Sequence, residues 1–303
     1  MVVYGGPVNR LDEFIKIEES TAKEALLKFC KNTIQLYTEQ YLRTPNMYDT
    51  QRLMNENALH DFPGMLGSLD CMHWEWRGCP VGWQGQFTGH VGIPTLILEA
   101  MASYDLWIWH AFFDIAGSHN DLTVLRHSHI FNEFIRGHTP TEQFIINGHV
   151  HHTPYYLTGG IYPQYATLMR SISHPHTAQE KVFAKAQECV HKDVERAFGV
   201  LQARWGITRG PVTFYDTADL RRIMMTCIIL HNMTIEDERH IDIDPWVPPL
   251  DDNVSSINQI TSPTVLSHYI HMRVEQISDQ QSNTKLRKDL MAHIRQMYGS
   301  IDV

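Results

Sequence analysis

The chain has no surplus of basic residues: Lys and Arg number 25 against 34 Asp and Glu, a formal net charge of −9 over 303 residues. That balance excludes a uniformly basic coat for nucleic acid, though not a local basic face. Paired cysteines are missing as well. Cys30, Cys71, Cys79, Cys189 and Cys227 are odd in number and scattered, and none forms a CxxC. This argues against a disulfide framework or a cysteine zinc site and fits a reducing compartment. No apolar run approaches the roughly 20 residues of a membrane helix; the longest span 93–101 and 106–113. The N-terminal MVVYGGPVNRLDEF lacks the charged and apolar zones of a signal peptide. The expectation is an intracellular protein without membrane association. There is no internal repeat and no low-complexity tract. What remains is globular: 43% hydrophobic and 19% charged residues, enough for one large domain or two ordinary ones. Nineteen histidines make the charge depend on pH.

Residues 1–60 read as a helical region. Leu11, Phe14, Ile15, Leu26, Phe29, Ile34, Tyr37 and Tyr41 recur at helical spacing, and Thr21 with Glu24 forms a capping-box pattern. Pro45 ends that unit, and Asp49 starts a short helix through Leu53. This region is either a helical layer packed on the next domain or a remnant of a DNA-binding helix-turn-helix, and little basic charge favours the second. From residue 61 to 235 the texture is α/β. Strands are expected at 65–70, 95–104 and 106–115, the last two as an antiparallel hairpin, with a fourth at 155–161. A helix over 122–135, capped by Ser118 or Asn120, and helices at 179–205 and 219–233 complete a mixed sheet flanked by helices. Residues 236–303 form an acidic linker and a helical tail. Segment 233–253 carries seven acids against Arg239 and three prolines, so it reads as solvated linker. Leu286, Leu290, Ile294 and Met297 then mark an amphipathic helix over 284–298.

Two carboxylates stand out for chemistry. Asp70 is placed at the end of the first strand. Glu195 lies on the long helix, where Val194, Phe198, Leu201 and Trp205 form the apolar stripe and Lys192, Glu195, Gly199 and Gln202 share another face. Asp193, two residues from Glu195, points elsewhere. Hard oxygen ligands converging from a strand and a helix suit magnesium or manganese held against a phosphodiester; ordinary solvated carboxylates would read the same way. Lys192, Arg196 and Arg204 belong to a modest basic excess beside Glu195 that is placed to meet a DNA backbone, or simply forms a solvated helix face. His149, His151 and His152 look like a metal tract but read better as a polar segment before a strand. His73 and His119 flank the presumed site. Trp74, Trp76, Trp83, Trp107 and Trp109 have the apolar neighbours of core residues rather than of a base-stacking platform.

An ordered series of motifs adds to this. FPGMLGSLDCMHWEW at 62–76, GSHND at 117–121, GIYP at 160–163, DVERAFGVLQARW at 193–205 and ILHNM at 229–233 together resemble the plant transposon proteins of the PIF/Harbinger group. The resemblance runs from about Leu11 to Arg239. It implies a DDE nuclease domain of RNase H-like fold, cutting and joining DNA with two divalent cations, Mg2+ or Mn2+. It places the first catalytic Asp on Asp70 and the catalytic Glu on Glu195. The second Asp belongs in YYLTGGIYP, where Gly159 stands instead, at the family's spacing ahead of Glu195. RNase H-like sites often draw a further carboxylate from the helix after the third strand, which makes Asp121 the replacement metal ligand beside Asp70 and Glu195. The resemblance further implies DNA as substrate, a separate Myb-like DNA-binding partner or chromatin proteins as associates, and a place in the plant nucleus, with the cytoplasm second. The expected activity is weak or absent. A catalytically dead chromatin or DNA-interaction protein and an active strand-transferase using Asp121 are the alternatives.

Overall fold

This computed structural model describes residues 1–5, 16–136, 143–239 and 263–298. The expected helical positions Leu11, Phe14 and Ile15, and most of the acidic segment, lie outside the described residues.

Helix α1 spans Glu19–Tyr41 and α2 spans Met47–Leu59. The capping box expected at Thr21 and Glu24 does not form. The helix starts at Glu19 without a side-chain cap, and Glu24 pairs with Lys28 one turn on at 2.7 Å. The reciprocal cap sits instead on α2. Asn46 accepts from the Asp49 amide at 2.8 Å, and Asp49 accepts from the Asn46 amide at 3.0 Å.

Five strands form the main sheet: β1 Met65–Glu75, β2 Thr95–Ala102, β3 Ile108–Ala116, β6 Tyr155–Thr158 and β7 Leu168–Arg170. Their order is β3-β2-β1-β6-β7. β1, β2 and β3 are antiparallel neighbours, while β6 and β7 run parallel to β1. β2 is buried along its whole length, as a strand covered on both faces must be. The expected β2–β3 hairpin is present. β1, however, continues past Asp70 to Glu75, because Cys71 through Glu75 keep pairing with β2. Asp70 therefore lies mid-strand at the centre of the sheet, not at a strand end. Between β1 and β2 is the short α3, Gln84–Phe87.

The helix expected over 122–135 is two pieces, α4 Asp121–His127 and α5 Asn132–Ile135. Asn120 caps α4, and Ser128 turns the chain out of helical geometry. The histidine tract is itself a strand. β4 Phe144–Ile146 and β5 His149–His151 make a small hairpin through Asn147 and Gly148, both at positive φ, 52° and 81°. Asn-Gly suits such a turn.

Long α6, Ala178–Arg204, and α8, Thr217–Glu238, cover one face of β1–β3, with the four-residue α7, Gly206–Arg209, between them. Val194, Ala197, Phe198 and Leu201 of α6 meet Leu220, Ile223, Met224 and Cys227 of α8 over Trp74, Leu96 and Leu98. α1 packs on α8 through Leu26 and Cys30. The opposite face buries Leu69, Met101, Trp107, Trp109, Leu125 and Tyr162. Four of the five tryptophans singled out above are core residues; Trp83 is half-exposed. α8 runs five residues beyond the expected Met233, so Glu236, Asp237 and Glu238 belong to a helix and not to a linker. Glu236 accepts from the Tyr41 hydroxyl at 2.5 Å, and Glu238 pairs with Arg204.

Two further helices follow: α9 Pro263–Ser278, which the periodicity did not indicate, and α10 Gln280–Tyr298. Leu286, Leu290 and Ile294 of α10 are buried against Phe183 of α6 and Met65, Tyr155 and Leu157 of the sheet. Met297, expected on the same stripe, is 59% exposed.

Candidate active site

Strand alternation sets the direction of Asp70. Ser68 donates to the Val190 carbonyl of α6 at 3.3 Å, and Gln202 of α6 donates to the Met72 sulfur at 3.3 Å. Asp70 lies between these two anchors on the same face of β1, and Glu195 lies between Val190 and Gln202 on α6. On the β6 side Leu69 pairs with Thr158, the last residue of that strand, so Gly159 comes level with Asp70. A Cβ built on Gly159 meets nothing within 4 Å, and its φ is not among the positive ones. The position expected to carry the second carboxylate is thus next to Asp70, sterically open and conformationally ordinary.

Asp121 starts α4, where Asn120 accepts from the Thr123 amide at 3.0 Å. Its charge reaches Asp70, as does that of Glu195. Burial pushes the Asp70 carboxyl up, the Cys71 amide bonded to it pulls it down, and Asp121 and Glu195 push it up further. The result is about 6 against an ordinary 3.8. Three carboxylates from a central strand and two helices therefore share one electrostatic neighbourhood.

Behind Asp70, on the other face of β1, Cys71 Sγ lies 3.6 Å from the buried Tyr162 hydroxyl. Burial, then the charges of Asp121 and Glu99, pushes the Cys71 thiol up, so it is no nucleophile. Glu99, opposite Cys71 in register, is fully buried; one oxygen is 3.3 Å from His110 Nε2 and the other has no partner among the described residues. Tyr162 and Glu99 were not foreseen as neighbours of the site. Tyr162 carried a signal, since it belongs to GIYP; Glu99 sat unmarked inside an apolar strand. His73 bonds Thr95 at 2.9 Å and lies edge-on to His90, while His119 is exposed beside Asn120.

The basic residues are less convergent. Lys192 pairs with Glu188 at 3.1 Å and Arg196 with Asp193 at 2.7 Å, both cations being more than half exposed. Arg204 pairs with Glu238 of α8. At about 100° per residue it emerges on the side of α6 opposite Glu195. Asp193 is buried and turned towards His60 and Glu56, away from Asp70. Burial pushes its carboxyl up, partly offset by Arg196, to about 6. His149 and His151 both bind the Asp289 carboxylate of α10, at 3.0 and 2.9 Å, which makes the tract a tertiary clasp.

The ILHNM motif is structural. Asn232 accepts from the Ile108 amide at 2.9 Å and donates to the carbonyls of Ile108 and Tyr41 at 2.7 and 2.6 Å, tying α8 to β3 and α1. His231 sits 2.9 Å from the Leu106 carbonyl.

Hard carboxylate oxygens suit magnesium or manganese. Yet among the described residues no group of three or more His, Cys, Asp or Glu is arranged to hold a metal ion. Asp70, Asp121 and Glu195 share an electrostatic neighbourhood but not a formed coordination shell, and position 159 contributes no donor.

A mixed five-stranded sheet in this order, flanked by helices, is an RNase H-like domain. The chain belongs to the plant transposon protein family, whose model matches residues 39–242. It is similar to the Homo sapiens protein described as putative nuclease HARBI1, being 20% identical over 246 residues that make up 80% of this chain and 66% of that protein. The chain thus spans just under two thirds of that relative's length. No solved structure matches the chain. These findings bear out the resemblance to transposase-derived proteins read from the motif series.

Proposed function

We propose that the protein is a transposase-derived, nuclease-like DNA-interacting protein of the nucleus whose phosphodiester cleavage is impaired by the glycine at position 159. One observation carries the reading: Gly159 lies level with Asp70 on the neighbouring strand, in open space, where a second carboxylate would complete the set with Glu195. Cleavage with two cations relies on acidic groups that offset four positive charges and hold both ions on the scissile phosphate. Asp70 and Glu195 supply two charges, and Asp121 approaches from α4. In this reading the set draws a cation weakly, and Lys192 and Arg196 face DNA by exchanging their intramolecular acids for phosphates. Arg204 plays no part at the cleavage centre.

The test is magnesium- or manganese-dependent nicking of supercoiled plasmid. The expected result is background nicking by the wild-type protein, a cation-dependent gain in Gly159→Asp, and loss of that gain when Asp70→Ala is added. Robust nicking by the wild type that Asp121→Ala abolishes would overturn the impairment and favour an active site rebuilt around Asp121. A Gly159→Asp protein that retains DNA on a filter but never nicks it favours the second reading, a purely DNA- or chromatin-binding role; the missing side chain at 159 is what favours that reading.

A further inference from the structure

Away from Asp70 the surface holds a cavity of about 350 Å³ between the end of α2, the first half of α6 and the end of α10. That is at the small end of the roughly 300–1,000 Å³ range of ligand pockets, with room for one or two bulky side chains. Its floor is apolar, made by Phe62, Val182, Ala186 and Val190. Its rim carries Lys181 and Lys185, one turn apart on α6. Both are exposed, and neither has an ion-pair partner among the described residues. The one acid of the rim, Asp61, accepts from the Tyr298 hydroxyl at 2.6 Å, whereas the two lysines carry no ion pair among the described residues.

The apolar surface does not stop at the cavity mouth. Leu59, at the rim, is 84% exposed, and Tyr104, stacked on the rim residue His60 with centroids 4.0 Å apart, is 41% exposed. A small molecule would fill the cavity and leave this shelf in water. A chain segment covers both.

We propose that this cavity is a docking site for an acidic peptide segment of a partner protein, which places a bulky apolar side chain on the Phe62–Val190 floor and carboxylates against Lys181 and Lys185. The site is separate from the carboxylates at Asp70 and does not depend on whether they cut DNA. Cys189 supplies the probe, because it lies on the cavity wall and is the exposed one among the five thiols; Cys30, Cys79 and Cys227 are buried.

The experiment measures the rate of Cys189 alkylation by iodoacetamide in the full chain, with and without an array of short synthetic peptides. Each peptide carries a central Trp, Phe or Leu flanked by Asp and Glu; control peptides carry Lys and Arg flanks. The expected result is that acidic members slow alkylation at about 100 µM and basic ones do not. Lys181→Glu with Lys185→Glu should weaken protection by about tenfold, and Ala186→Trp, which fills the cavity, should abolish binding measured by fluorescence anisotropy. Lys181 and Lys185 are exposed and Ala186 is half-buried, and thermal melts check that the variants fold. Protection by basic peptides, protection that survives both variants, or no protection by any acidic member would overturn the proposal. So would protection by indole-3-acetate alone with none by the peptides, which would make this a small-molecule site. If alkylation is already slow without peptide and accelerates when residues 299–303 are removed, the occupant is the chain's own tail and the partner is excluded.

Discussion

Replacing Asp70 with Asn should make the metal-free protein more stable at neutral pH. The carboxyl is raised from 3.8 to about 6, first by burial and then by the charges of Asp121 and Glu195. The folded state therefore holds the Asp70 proton more tightly than the unfolded chain does. Below about pH 4 both states are protonated and the group is neutral towards folding. Between about pH 4 and 6 the unfolded state ionises first, so a penalty on the folded state grows as pH rises, and above about pH 6 the full penalty applies. At about 1.4 kcal/mol per unit, a shift of about 2 units sets a ceiling near 3 kcal/mol. Asn keeps the shape but must itself be desolvated and gives up the charge-assisted bond from the Cys71 amide, so the net gain is about 1–2 kcal/mol. The assay is urea unfolding in EDTA at pH 4 and pH 7.5, comparing wild type with Asp70→Asn. The gap between the two should be near zero at pH 4 and open in favour of the variant at pH 7.5. A variant equal to or weaker than wild type at pH 7.5, or a gap that does not change with pH, refutes the claim that burial and the neighbouring charges hold this carboxyl up.

Three other outcomes are expected. Asn232→Ala removes a buried side chain that makes three hydrogen bonds and should cost about 2–4 kcal/mol in urea melts, with no effect on Cys189 alkylation. Burial holds His231 down at about 4, so its neutral form stabilises the fold above pH 6.5 and that stability is lost as pH falls towards 4; His231→Gln should flatten this part of the pH–stability curve, by about 3 kcal/mol at most. Leu290→Ala on α10 should cost about 3 kcal/mol in the same melts, since the side chain is fully buried against α6 and the sheet; a cost below about 1 kcal/mol would mean that the helix is not integral to the core.

The apolar patterning made the framework readable. α6 was expected at 179–205 and spans Ala178–Arg204, because a strong capping box at Thr177 and Glu180 and a stripe through Val194, Phe198 and Leu201 agree with each other. The hairpin of β2 and β3 was readable from two dense apolar runs. Elements decided by distant partners were not. β7 is three residues long and exists because β6 pairs with it. The extension of β1 past Asp70 is fixed by β2, and the order of α8 beyond Met233 by Arg204 and Tyr41. In each case the local pattern did not mark the element and tertiary pairing decided it. The β4–β5 hairpin did have a local signal, Asn147-Gly148, which the histidines around it obscured. Of the candidate site, motif order singled out Asp70, Gly159 and Glu195. Tyr162 and Glu99 owe their place to the far side of β1, which no linear pattern marks.

The proposed lack of a carboxylate at position 159 raises the question of why the framework around it stays whole, and the electrostatics answer it. Nothing that holds the loop after β6 depends on a side chain at 159. β6 is fixed by parallel pairing with β1 and β7, and Tyr162, three residues on, is fully buried with its hydroxyl beside Cys71. A carboxylate at 159 would stand beside Asp70, whose carboxyl Asp121 and Glu195 already push upward, so in the absence of a cation it would add repulsion and no packing. Glycine there removes that repulsion at no cost in contacts, because its Cβ would have touched nothing. Gly159→Asp should accordingly melt lower than wild type in EDTA and gain more than wild type on adding manganese, as linkage requires when only the folded state binds the ion. The comparison is a thermal melt of both proteins in each condition. An equal manganese shift in the two would mean that position 159 does not face the carboxylates, and the open space beside Asp70 would then have no bearing on the chemistry.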